Sequence, residues 1–264
     1  MTYATDLITT QQWLQEMGAD EHLALKPTGF YRLNPAPPPK EAPALSKVSV
    51  MAKKPSPSDH SAAVSLAAAA KTLPELEAAV KSFTGCALKK GAKNTVFCDG
   101  VASSPIMFIG EGPGADEDRQ GKPFVGVSGQ LLDKMLAAIN LSRQSNAYIT
   151  NVVYWRPPGN RAPTPEEIEC CRPFFERHIE LHKPKVIVLL GGVALKAVFN
   201  PKDGIMKMRG TWLEYKTADG AVIPVMPTYH PAFLLRTPTA KRQAWQDLQA
   251  IQKKLAELGV AKAA

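Results

Sequence analysis

Residues 105–118 read Pro105-Ile106-Met107-Phe108-Ile109-Gly110-Glu111-Gly112-Pro113-Gly114-Ala115-Asp116-Glu117-Asp118. An apolar run of strand length breaks into a glycine-rich turn and then into an acidic segment. Three other runs share the strand-like texture: Ala147–Val153, Lys185–Leu190 and Val222–Tyr229. Helical patterns fill the gaps between them. Leu131, Leu132, Met135, Leu136 and Ile139 make one apolar stripe. Thr164-Pro165-Glu166-Glu167 opens another helix, with Thr164 as cap, Pro165 in the first turn and Glu167 completing a capping box. Its stripe is Ile168, Cys171, Phe175 and Ile179, and Pro173 is expected to kink it. A last helix is expected over roughly 241–258. Strands alternating with helices predict an α/β fold with a parallel sheet covered on both faces. In such sheets ligands sit beyond the carboxyl ends of the strands.

Composition bounds the rest. The chain has 264 residues, 45% hydrophobic and 21% charged, which excludes wholesale disorder. No run approaches the roughly 20 apolar residues of a membrane span. The first ten residues carry Asp6 and no basic start before an apolar run, so no secretory leader is expected. Four cysteines are too few for a disulfide scaffold, which suits a reducing compartment. A cytoplasmic location is expected. The net charge of +8 is unevenly spread: residues 1–80 carry seven basic and eight acidic side chains, so the surplus lies in residues 81–264. A polyanionic partner would bind there.

The first 80 residues read as an extension. Leu7, Ile8, Trp13, Leu14 and Met17 fit a short amphipathic helix over 6–17. From Pro35 to about Ala62 the chain is rich in Pro, Ala, Ser and Lys and lacks aromatics, the composition of a flexible linker. Pro74-Glu75-Leu76 then opens a helical pattern towards Phe83, and the main domain is expected over 81–264.

Each strand end offers chemistry. The Gly110–Gly114 turn lets backbone N–H groups approach a ligand, yet it matches neither a dinucleotide-binding G-x-G-x-x-G nor a phosphate-binding P-loop. Phe124, between Pro123 and Val125-Gly126, is either core or a flat platform for a ring. Asn151 lies among apolar residues, and its amide finds either a structural partner or a base edge. His230, locked before Pro231 at a strand terminus, is either structural or placed for polar catalysis. His178 and His182 stand one helical turn apart, too sparse a set for a zinc site.

Taken in order, Gly-Glu-Gly-Pro-Gly, Pro-Phe-Val-Gly, Thr-Asn-Val-Val and the terminal His-Pro with Leu-Leu-Arg are more specific than any one of them. With Arg156-Pro-Pro-Gly-Asn-Arg and the helix start after it, they make the chain resemble the uracil-DNA glycosylase superfamily, most closely its type-4 enzymes, over about residues 86–258. The resemblance implies an α/β/α sandwich around a short parallel sheet, four-stranded on the strand runs above. It implies a DNA-repair glycosylase that flips uracil out of DNA and hydrolyses its N-glycosidic bond, leaving an abasic site. A glycosylase for other deaminated bases such as hypoxanthine, or a non-catalytic DNA-binding module, are the alternatives.

By that resemblance Phe124 stacks on the flipped base, Asn151 reads its edge, and His230 donates to uracil O2 as the C1′–N1 bond breaks. Glu111 orients or activates the attacking water, with Gly112 beside it in the substrate site. Glu117 crowds the base's C5 against a thymine methyl. The 234–236 loop, with Leu235 and Arg236 on the DNA, fills the vacated stack. No Schiff-base lysine lies in the motifs, so no backbone cleavage is expected. The expected partner is uracil-containing DNA, met by a monomer away from membranes.

Type-4 enzymes typically carry a [4Fe–4S] cluster on four cysteines. Here Cys86 and Cys171 match two of the four positions, while Lys89 and Trp155 occupy the others. Cys98 and Cys170 do not restore the pattern. No cofactor is therefore expected, with ordinary packing by Lys89 and Trp155 in the cluster's place.

Overall fold

The computed structural model describes residues 57–260. The expected helix over 6–17, and the part of the expected linker before residue 57, lie outside the described residues. Six strands form one sheet in the order β1-β3-β2-β4-β6-β5. They are β1 (Cys98–Gly100), β2 (Ile106–Gly110), β3 (Tyr148–Asn151), β4 (Val186–Leu190), β5 (Leu213–Lys216) and β6 (Val222–Thr228). The inner four run parallel and correspond to the four expected runs.

Expectation and structure differ in the strand count, six rather than four, because β1 and β5 pair antiparallel at the two edges. Neither carries a continuous apolar signal. The first has three residues, and the second alternates between half-buried and exposed positions.

Both faces of the inner strands are apolar, as a buried parallel sheet requires. Met107, Ile109, Ile187 and Leu189 face one core with α1 (Pro57–Ala69), α2 (Leu73–Ser82), α5 (Pro165–His182) and α6 (Gly192–Phe199). Ile106, Phe108, Val186 and Val188 face the other, with α4 (Val127–Ala137) and α9 (Lys241–Glu257). This is the three-layer sandwich. Three short helices complete it: α3 (Ala115–Gln120), α7 (Ile205–Met208) and α8 (Pro231–Arg236).

Helix α5 starts as its sequence dictates. Thr164 accepts from the Glu167 amide, and the Glu167 carboxylate accepts from the Thr164 amide at 2.8 Å. It continues through Pro173 as one helix. The packed domain also begins earlier than residue 81. Ala63, Ala67 and Ala70 are buried in the same core as Phe174 and Phe175, so part of the stretch read as linker is helix α1. Alanine leaves little hydropathy signal, yet its small side chain lets helices pack closely. Among the described residues, no helix is long and apolar enough to cross a membrane.

Candidate active site

Parallel pairing sets Gly110 opposite Asn151 at the carboxyl ends of β2 and β3. The end of β4 leads into Gly191 and that of β6 into Tyr229-His230. These ends open onto a cleft of about 870 Å³ lined by Glu111, Gly112, Glu117, Phe124, His230 and Arg236, among others. The strand-end rule thus brings the four key elements to one place.

Gly110 shows how tightly they converge. A Cβ at this position would stand 2.5 Å from Asn151 Oδ1 and 2.5 Å from Phe124 Cζ. Only glycine leaves room for an amide and a ring edge at one point. The Phe124 ring lies 5.5 Å from the His230 ring, centre to centre. Asn151 is only 1% exposed, and among the described residues its Oδ1 has no hydrogen-bond donor. A buried acceptor left without a donor costs about 1–3 kcal/mol. Asn151 stands at the end of β3 opposite Gly110 and is not itself one of the residues lining the open cleft.

His230 caps α8: its Nδ1 accepts from the Ala232 amide at 3.1 Å. An accepting Nδ1 leaves the ring proton on Nε2. Burial, reinforced by the positive charge of Arg236 and opposed by Glu117, pulls its pKa down to about 4. The ring is therefore a neutral Nε2–H donor at physiological pH. Burial raises the pKa of Glu111 above the ordinary carboxylate value, which makes it a stronger base.

Glu117 lines the cleft as expected, but its carboxylate is already engaged. It accepts from the amides of Gly114, Val125 and Gly126 at 3.1, 2.9 and 2.9 Å. It therefore braces the loop that carries Phe124. The segment 234–236 is the end of helix α8 rather than a loop. Leu234 is fully buried in the core beneath, whereas Leu235 is 41% exposed and Arg236 lines the cleft.

The sequence reading gave no site role to Asn160 and Arg161, quoted only within a motif, or to Gly191 and Lys196, yet all four line the cleft. Gly191 and Lys196 follow β4, the one inner strand whose end carries none of the motifs quoted above. Asn160 has a left-handed backbone, φ +56°, and accepts from Arg156 Nε at 2.7 Å.

His178 and His182 take no part in the cleft. His178 Nε2 lies 2.8 Å from the Tyr148 hydroxyl, its ring stacks on Phe97, and His182 stacks on Tyr148. Burial lowers their pKa values to about 3 and about 4.

The residues at the family's cluster positions do not fit a four-thiolate cluster. Cys86 lies beside the thiols of Cys170 and Cys171. Trp155 is buried there, donating from Nε1 to Thr95 Oγ1 at 3.0 Å. Lys89 holds its ammonium 5.9 Å above the Trp155 ring and donates to the Phe83 carbonyl at 2.7 Å. An indole and an ammonium cannot replace two soft thiolates.

Comparison with known proteins agrees with the fold. The model of the uracil DNA glycosylase superfamily matches residues 97–249. The type-4 uracil-DNA glycosylase of Archaeoglobus fulgidus is 40% identical over 192 residues, 71% of this chain and 94% of that protein. That of Sulfurisphaera tokodaii is 37% identical over 193 residues, 72% of this chain and 86% of the relative. That of Thermotoga maritima is 44% identical over 161 residues, 60% of this chain and 80% of its own. With its fold, strand-end cleft and ordered motifs, the chain belongs to the uracil DNA glycosylase superfamily.

Proposed function

We propose that this protein is a monofunctional uracil-DNA glycosylase that opens base excision repair by hydrolysing the N-glycosidic bond of deoxyuridine. The observation that carries this reading is the buried, donorless Oδ1 of Asn151 beside an aromatic ring and a neutral imidazole. Uracil supplies what that oxygen lacks. Its N3–H donates to Oδ1 while the Asn151 amide nitrogen donates to O4. Cytosine has the opposite polarity at both atoms, which leaves two buried groups unpaired.

Extrusion of the base costs a few kcal/mol. Stacking on Phe124 returns part of that cost, and Leu235, exposed next to the cleft-lining Arg236, fills the gap left in the duplex. Arg236, Arg161 and Lys196 around the cleft meet phosphates, which makes binding salt-sensitive. As the C1′–N1 bond breaks, its electron pair moves onto the uracil ring. The His230 Nε2–H donates to O2 and stabilises that anion. Water adds to C1′ and passes a proton to Glu111. The braced Glu117 forms a fixed wall on the C5 side, where a thymine methyl would collide. The protein acts as a monomer on cytoplasmic DNA and uses no cofactor.

The test is incubation with a uracil-bearing oligonucleotide, followed by alkaline cleavage of abasic sites. Strand scission is expected with wild type. His230→Ala is expected to lose about 10²–10³-fold. An intact strand with wild-type protein would refute the reading. Borohydride trapping of protein on DNA would contradict the monofunctional assignment and point to Lys196. Hypoxanthine release faster than uracil release would move the substrate to the alternative lesion.

A further inference from the structure

Phe124 presents a puzzle of placement. Its backbone is left-handed, φ +53°, in a loop outside the sheet, a conformation that favours glycine and that an aromatic residue adopts only when its surroundings impose it. Two side chains impose it. From one side, Glu117 takes the amides of Val125 and Gly126. From the other comes Arg143, 8% exposed and remote in sequence. Its Nη1 donates to the Pro123 carbonyl at 3.0 Å, and its Nη2 donates to the Phe124 carbonyl at 2.7 Å. The guanidinium is itself held by Asp133 at 2.8 Å and Asp99 at 2.9 Å, so it ties α4 and β1 to the loop. Gly129 completes the seat. A Cβ there would lie 1.8 Å from the Phe124 carbonyl oxygen.

We infer that Arg143 is a positioning residue for base recognition, fixing the Phe124 ring by gripping the two carbonyls on either side of its strained turn. This rests on the glycosylase reading above. The planar fork is what matters: a lysine at 143 keeps a charge for Asp99 and Asp133 but cannot grip two carbonyls in one plane. With the grip lost, the backbone relaxes and the ring leaves its place against His230 and Asn151.

The test is a double-mutant cycle in the full-length protein, with uracil release measured well below each variant's melting temperature. Arg143→Lys is expected to lower kcat/KM by about tenfold or more in the wild-type background. In the Phe124→Ala background, the same change is expected to cost less than about threefold, because the ring it positions is gone. A purely structural arginine would cost the same in both backgrounds, and that result would overturn the inference. If Arg143→Lys does not fold, Asp133→Asn, whose side chain is half exposed, serves in the same cycle. Equal losses in both backgrounds would again overturn the inference. Absence of uracil release by wild type would overturn the activity itself, an outcome distinct from failure of the cycle alone.

Discussion

Two regions of this molecule, the strand-end cleft and the pocket around Trp155, treat their polar groups in opposite ways. At the carboxyl ends of the strands, Asn151 keeps a buried acceptor with no donor among the described residues, and His230 keeps a neutral N–H beside it. At the positions matching the cluster ligands, the polar groups are partnered: Trp155 Nε1 by Thr95 and the Lys89 ammonium by carbonyl and ring. An unmet hydrogen bond deep in a fold is a standing cost, and at the strand ends a ligand can repay it. A site whose polar groups are all met contributes to stability. The difference separates a place that binds from one that only packs.

Breaking the packed region is expected to have the largest effect. Trp155→Ala removes a buried indole and should cost about 3–5 kcal/mol, read from urea denaturation. Uracil release per folded molecule is expected to stay near wild type at low temperature. Loss of activity without loss of stability would mean that the two regions are coupled. Breaking the binding region should do the reverse. Asn151→Ala is expected to lose about 10²–10³-fold in kcat/KM while its melting temperature holds or rises, because an unpaired buried acceptor has been deleted.

Acid sharpens the contrast, since the buried histidines and the cleft respond separately. His178 and His182 have folded-state pKa values of about 3 and about 4, below the unfolded value near 6.5. The unfolded chain therefore binds protons first. Their stabilising effect is whole above about pH 6.5 and is lost as pH falls towards those values, by about 1.4 kcal/mol per unit for each histidine. Urea midpoints measured against pH check this, and His178→Asn should flatten the slope. Activity should fail on its own acid limb, displaced upward by the raised pKa of Glu111 and absent from the residual rate of Glu111→Gln. The smallest effect is expected from Lys89→Met. Removal of its cation–π contact should cost about 0.5–1 kcal/mol, with unchanged uracil release and no iron-dependent visible absorbance before or after the change.

Much of this contrast was legible in the residues. The four inner strands and the order of motifs at their ends led to Glu111, Phe124, Asn151 and His230, because apolar runs and glycine turns have local signatures. The edge strands were not legible, since a three-residue strand and a half-exposed one have no apolar run. Helix α1 was missed because it packs through Ala63 and Ala67, which look the same in a linker as in a core. The left-handed turn at Phe124 and the engagement of Glu117 arise from contacts between distant segments, which spacing along the chain does not encode.

The ratio of uracil to cytosine release from otherwise identical oligonucleotides probes the unpaired Asn151 oxygen most directly. Wild type is predicted to prefer uracil by about 10⁴-fold or more, with the preference collapsing in Asn151→Ala. A ratio near one in wild type, or a preference left intact by that substitution, would contradict the account.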